Sequence, residues 1–251
     1  MKFDEYDGKT IFITGAAAGI GHAQAVAFLK NGANVFALDR DEQALTEMAE
    51  EYRGCFGYVV GSVADRITVK RAVDEAITRY TKVDILLNTA GVLDDYKKTL
   101  DTDEALWDTV MNTNVKGTYL VTNAVLPHML EQTAGVIVNM ASIAGLVGGG
   151  GGAAYTASKH AIIGYTKQLS LDYAGQGIRA NAIAPGAIQT SMNKADFVGE
   201  GEMAEWVANE TPAGRWAKPH EVADLTLYLA SEAAGYIHGS VMPIDGGWIA
   251  K

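Results

Sequence analysis

Short β-branched runs alternate with longer helical patterns through almost the whole chain, and that alternation limits the fold more than any other feature. Thr10-Ile11-Phe12-Ile13 precedes helical pattern from about Ile20 to Asn31, and Asn34 to Leu38 precedes another from Glu42 to Tyr52. Phe56 to Val60 is followed by a helix from about Asp65 to Tyr80, with Asp65 placed as its N-cap. Val83 to Leu87 is a fourth run, after which helical pattern extends, with an interruption, from about Asp103 to Gln132. Gly135 to Met140, a helix from about Ala154 to Ala174, and Ile178 to Ala184 come next. A less regular segment, a helix from Glu221 to Leu229 and a strand from Ser240 to Ile244 close the chain. Strands separated by helices imply an α/β fold, a doubly wound sheet of about seven parallel strands covered on both faces. No Pro- or Ser-rich linker and no internal repeat divides residues 1–251, so one domain is expected.

Composition narrows the function. The chain has 251 residues, of which 48% are apolar, enough for a sizeable core. Net charge is −10 and the pI near 4.9, which argues against nucleic acid and against anionic membrane surfaces as partners. Met1 to Glu5 carries no signal-peptide pattern, and no apolar run approaches membrane-spanning length. The single cysteine, Cys55, excludes an internal disulfide and fits a reducing cytoplasm; it reads as a small buried residue. The five histidines show no metal-ligand spacing, and no metal site is expected.

Between the first strand and first helix lies Thr14-Gly15-Ala16-Ala17-Ala18-Gly19-Ile20-Gly21. Glycines there permit a tight turn and close approach of a pyrophosphate to a helix N-terminus, whose dipole favours anions. Asp39 ends the second strand, where a carboxylate can accept hydrogen bonds from both ribose hydroxyls of an adenosine. Against a 2′-phosphate the same carboxylate costs about 4 kcal/mol at ~4 Å and effective ε ≈ 20, roughly a thousandfold in affinity. Arg40 offsets part of that, but the turn adds no second cation: positions 16 to 18 are all alanine. NAD is therefore preferred to NADP.

Tyr155 and Lys159 stand four residues apart, with Ser142 upstream. On a helix this spacing puts the ammonium beside the phenol, and a cation is what makes a tyrosine usable as an acid or base near neutral pH. The spacing alone arises by chance roughly 0.6 times in such a chain and carries weight only in its setting.

That setting resembles a classical short-chain dehydrogenase/reductase along essentially the whole length. The glycine turn, Asn88-Thr89-Ala90-Gly91, Asn114-Val115-Lys116-Gly117, Ser142, Tyr155-x-x-x-Lys159, Pro185-Gly186 and Asp245-Gly246-Gly247 appear in family order. The resemblance implies a Rossmann-like sheet and an NAD(P)-dependent hydride exchange between a carbonyl and a secondary alcohol. It implies Tyr155 as general acid/base, Lys159 lowering the tyrosine's pKa and holding the nicotinamide ribose, and Ser142 holding the substrate oxygen. Asn114 would kink its helix and anchor a water that relays protons to Lys159. Gly15, Ala18, Gly19, Ile20, Gly21, Asp39, Arg40, Ser62 and Val63 would take the adenosine diphosphate. Asn88, Ala90 and Gly91 would line the ribose side, and Pro185, Gly186, Ile188 and Thr190 would surround the nicotinamide. Two positions depart from the family pattern: Thr89 replaces an asparagine that supports the sheet, and Ser62 replaces an adenine-binding aspartate.

The resemblance also places a substrate lid at about 190–210, with Met192, Phe197 and Trp206 as apolar covers and Leu93 to Tyr96 as a further rim. Gly148 to Gly152 reads either as a flexible connector or as a pocket wall without side chains. Family members that reduce carrier-bound 3-oxoacyl groups carry basic helix ends, but here those ends read Leu130-Glu131-Gln132-Thr133 and Tyr173-Ala174-Gly175-Gln176. A small free ketone, diketone, alcohol or polyol is therefore the expected substrate. A 3-oxoacyl-[acyl-carrier-protein] reductase is the alternative, and an NAD-binding regulatory protein the non-enzymatic one. Family members pair the two long helices across a two-fold, so a homo-oligomer is expected, a tetramer before a dimer. The small residues Ala157, Ala161 and Gly164 would permit such packing or would face the sheet.

Overall fold

A computed structural model describes residues 3–199 and 201–251. Seven strands form one parallel sheet: β1 (Thr10–Thr14), β2 (Asn34–Asp39), β3 (Phe56–Val60), β4 (Ile85–Asn88), β5 (Gly135–Met140), β6 (Ile178–Pro185) and β7 (Val241–Ile244). Their order is β3-β2-β1-β4-β5-β6-β7, with every neighbouring pair parallel. Winding reverses between β1 and β4. Loops on the two sides of that switch point part, and they open a crevice beyond the carboxyl ends of the strands.

The described residues form eight α-helices: α1 (Gly19–Leu29), α2 (Glu42–Glu51), α3 (Arg66–Tyr80), α4 (Glu104–Val110), α5 (Gly117–Glu131), α6 (Ala153–Tyr173), α7 (Glu202–Glu210) and α8 (Pro219–Ala230). Alternation along β1 shows how the layers form. Ile11 and Ile13 pack with Ala25, Phe28, Leu45 and Leu227 from α1, α2 and α8. Phe12, pointing the other way, packs with Val69, Val73, Val121 and Leu169 from α3, α5 and α6. Both faces of every central strand are thus covered, which is why these strands read as continuous apolar runs.

Local chemistry sets the helix ends. Asp65 accepts from the backbone N–H of Ile67 (3.0 Å) and Thr68 (3.3 Å), as its N-cap position predicts. Pro219 starts α8 two residues before the expected Glu221, because proline's fixed φ suits the first helical turn. Glu221 instead accepts from Lys218 N (2.8 Å) and binds both Arg215 nitrogens (2.9 and 2.7 Å), and this holds its carboxyl at a pKa of about 2. The interruption in the middle helix is a π-helical turn, Met111–Lys116, inserted between α4 and α5 with Asn114 within it.

Three expectations change. The fourth strand begins at Ile85 rather than Val83, since Asp84 turns its carboxylate to Thr10 N (2.8 Å) and Lys82 Nζ (2.8 Å). The less regular segment before α8 contains α7. Cys55 is exposed, not buried, because it sits in the tight turn entering β3, where its N–H reaches Tyr52 O (3.2 Å).

Candidate active site

The crevice is a cleft of about 790 Å³. Its floor is the turn after β1. Gly15 has φ +73°, and a Cβ there would stand 2.8 Å from Ala90 Cα; a Cβ on Gly21 would stand 1.9 Å from Gly15 O. Only glycine lets the turn fold this tightly under the N-terminus of α1. Thr14 braces the turn from beneath, its hydroxyl accepting from the N–H groups of Thr89 and Ala90, each at 3.1 Å. At one end of the cleft the Asp39 carboxylate is held by Ala17 N (2.9 Å), Arg40 N (2.6 Å) and Asp41 N (3.2 Å). A fixed anion, a floor of backbone and a cleft of this size fit a dinucleotide.

At the other end α6 presents Tyr155 and Lys159 one turn apart. Both are buried, at 8% and 4% exposure. The Lys159 ammonium lies 5.3 Å from the Tyr155 ring centroid and donates to Met140 O at 2.7 Å. Ser142, just past β5, caps a short turn by accepting from Ala144 N (3.1 Å) and makes a polar contact with the Tyr155 phenol. Burial pushes the tyrosine up to about 12, against the lowering effect of Ser142, and burial brings Lys159 down to about 8. Each is therefore poised toward its uncharged form: the phenol holds its proton and the amine yields one readily.

The structure brings nearly every expected site residue to this one cleft: Gly15, Ala18, Gly19, Ile20, Gly21, Asp39, Arg40, Ser62, Val63, Ala90, Gly91, Ser142, Tyr155, Lys159, Pro185, Gly186, Ile188 and Thr190 all line it. Asn88 and Asn114 do not. Asn88 was expected on the ribose side, but its side chain is buried, donating to Thr122 Oγ1 (3.0 Å) and Asn139 Oδ1 (2.9 Å), so it ties β4 to α5 and β5. Asn114 stands behind the wall. Its amide clamps both backbone groups of Val92 (2.8 and 3.0 Å) and donates to Ser158 Oγ (3.0 Å), while Ser158 donates to Tyr155 O (2.7 Å).

Thr89 does not leave the sheet loose. Its hydroxyl donates to Gln24 Oε1 (2.7 Å) and Gln24 donates to Thr226 Oγ1 (2.8 Å), a chain, buried at Gln24 and Thr226, linking the end of β4 to α1 and α8.

On the lid side, Met192 and Trp206 reach the cleft, together with Met203, Trp216, Trp248 and Tyr96. Phe197 does not cover the site; its ring packs on Trp216 at 4.9 Å between centroids. Trp216 and Trp248 were not expected. Trp248 arrives because Asp245 accepts from Gly247 N (2.9 Å) and Ile249 N (3.0 Å), closing the final turn over the cleft. The one available signal was composition: three of the four tryptophans, Trp206, Trp216 and Trp248, meet here.

A Rossmann-like sheet with a glycine-floored cleft and a buried Ser, Tyr and Lys defines a nucleotide-binding oxidoreductase. The chain belongs to the short-chain dehydrogenase/reductase family, whose members use a nicotinamide cofactor on carbonyl or CH–OH groups. A family profile described as enoyl-(acyl carrier protein) reductase matches residues 15–249. The chain is 40% identical to the 3-oxoacyl-[acyl-carrier-protein] reductase FabG of Thermotoga maritima, over 97% of this chain and 98% of that protein. It is 36% identical to the D-threitol dehydrogenase of Mycolicibacterium smegmatis, covering 100% and 97%. Among solved structures it superposes on the 3-ketoacyl-(acyl-carrier-protein) reductase of Brucella melitensis complexed with NADH, with a TM-score of 0.91, 31% identity and coverage of 96% and 98%.

Proposed function

We propose that this protein is an NAD-dependent dehydrogenase/reductase that interconverts the carbonyl of a small free ketone or diketone with the corresponding secondary alcohol or polyol. The observation that carries the reading is the buried meeting of Tyr155, Lys159 and Ser142 at one end of a dinucleotide-sized cleft whose other end holds a fixed carboxylate. When bound, the nicotinamide supplies or accepts the hydride. Ser142 holds the substrate oxygen, and Tyr155 gives that oxygen a proton on reduction or removes it on oxidation. Lys159, one helical turn on, stabilises the phenolate whenever Tyr155 is deprotonated. Asn114 acts at a remove, by fixing Val92 and, through Ser158, the first turn of α6.

The Asp39 carboxylate supports NAD over NADP, because its three backbone donors keep an anion where a 2′-phosphate would come. The substrate end supports an uncharged substrate. Tyr96, Met192, Met203, Trp206, Trp216 and Trp248 offer apolar surface and hydroxyl, and the charged lining residue among them is acidic, Asp196. A panel of ketones and alcohols assayed with NADH and NADPH in parallel tests both points.

The similarity to the Thermotoga reductase favours a second reading, in which the substrate is a carrier-bound 3-oxoacyl thioester. Efficient turnover of such a thioester with poor turnover of free ketones would establish it. Assembly into a tetramer is part of the proposal. Ala157 and Ala161 are only partly covered and Gly164 is exposed, so this small-residue stripe faces outward, available to a second copy. Light scattering tests it.

A further inference from the structure

The segment after β4 does more than edge the cleft. Asp94 was expected on the rim, yet it is fully buried, at 0% exposure. Its carboxylate accepts from Gly152 N (2.8 Å) and Tyr155 N (2.8 Å), and three residues on, Lys97 O accepts from Ala153 N (3.1 Å). Gly152 precedes α6 and Tyr155 is its third residue. The helix that carries the acid/base thus has its first turn capped from another part of the chain. A carboxylate is suited to this place because the helix dipole is positive there.

The neighbouring sequence is fitted to that cap. Gly152 has no side chain with which to cap α6 itself, and a Cβ on it would stand 2.6 Å from both Asp94 oxygens. A Cβ on Gly151 would stand 2.4 Å from Tyr155 Cδ1. The last two glycines of the five-glycine run are therefore required by contact, not by flexibility. Asp95 (φ 52°) and Tyr96 (φ 55°) follow in the left-handed region, a strained pairing for non-glycine residues that the surroundings must hold in place.

We propose that Asp94 is a positioning residue for the reaction: it sets where α6 begins and so where the Tyr155 phenol stands against Ser142 and Lys159. This rests on the role proposed for Tyr155. Helix ends fray readily. At about 100° per residue, a shift of one position in the first turn carries the phenol out of reach of the substrate oxygen. Here the fraying end and the acid/base coincide, and Asp94 with Lys97 O secures it.

The test compares Asp94→Asn and Asp94→Ala with wild type for kcat, KM, NADH affinity by fluorescence, and ionisation of Tyr155. The last is read from ultraviolet difference spectra against Tyr155→Phe in each background. The groups facing Tyr155 are Lys159 on its own helix, Ser142 beyond β5, and Tyr96 and Asp94 on the loop after β4; Asp196 of the lid faces Tyr96. Expected are a fall in kcat of about tenfold for Asp94→Asn and about a hundredfold for Asp94→Ala, with NADH affinity within about twofold. Tyr155 ionisation should move to lower pH, because a carboxylate that disfavours the phenolate is gone. An Asp94→Asn kcat within about twofold of wild type overturns the proposal, as does a loss of kcat matched by an equal loss of NADH affinity. If Asp94→Ala does not fold, Asp94→Asn decides. A wild type that turns over no substrate counts against the proposed function instead, and an unmoved Tyr155 transition then overturns the role of Asp94.

Discussion

At the chemical end of the cleft Ser142, Tyr155 and Lys159 are 7%, 8% and 4% exposed, and bonds from α6, the π-helical turn and the loops after β4 and β5 hold them. At the lid end Met192, Met203 and Trp206 are 45%, 54% and 54% exposed. The short helical stretch Ser191–Phe197 and α7 carry them, tied down chiefly by Trp216 donating to Ala204 O (2.8 Å) and packing its ring at a tilt against Phe197. On the proposed function, the contrast would assign rate to one end and selectivity to the other. Groups that must meet a reacting atom within tenths of an ångström need a rigid surround, whereas a lid gains its packing when a substrate arrives.

Breaking the chemical end should have the largest effect. Tyr155→Phe is expected to lower kcat by about 10³–10⁴-fold while leaving NADH affinity nearly unchanged; stopped-flow reduction with a fluorescence titration reads both. Activity near wild type would end the assignment of Tyr155.

The Asp39 end of the cleft sharpens the comparison, since it too is prebuilt. Asp39→Ala removes the fixed anion, and the ratio of kcat/KM for NADPH to that for NADH is expected to rise about a hundredfold, below the thousandfold ceiling set by simple Coulomb repulsion. An unchanged ratio would mean that Arg40, not Asp39, governs the choice.

At the lid end Trp206→Ala should raise the substrate KM about tenfold and change kcat little, the pattern of a group that binds ground and transition states alike. A large fall in kcat instead would erase the division between the two ends.

The smallest effect is on stability. Unfolded Lys159 keeps its proton to about pH 10.5 and the folded residue only to about 8, so between those values the unfolded chain binds more protons and stability rises with pH. Tyr155, raised from 10 to about 12, works the other way above pH 10, which leaves pH 8 to 10 as the window. Urea unfolding should show wild type gaining on Lys159→Met across that window; parallel curves would contradict the lowered pKa of the buried Lys159.

Strand and helix order was legible because apolar periodicity reports burial directly, and the doubly covered strands had little else to report. The glycine turn was legible because it lies between a strand and a helix, and Tyr155-x-x-x-Lys159 because it follows the other motifs in order along the chain. Asn88, Asp94 and Trp248 were misread or passed over for the opposite reason: their partners lie 34 to 61 residues away or depend on how the last turn folds back. Thr89 shows the same limit, since its link to Gln24 joins residues 65 positions apart.

By itself the sequence determined the parallel α/β sheet, the glycine turn and the Ser142, Tyr155 and Lys159 set, because the first rests on apolar periodicity and the others on the order of their motifs along the chain. Only the tertiary structure decided which loop caps α6, which tryptophans close the cleft and which asparagine braces the sheet instead of lining the site. Those depend on directional contacts of a few ångströms between segments far apart in the chain, and no pattern within a window of residues records them.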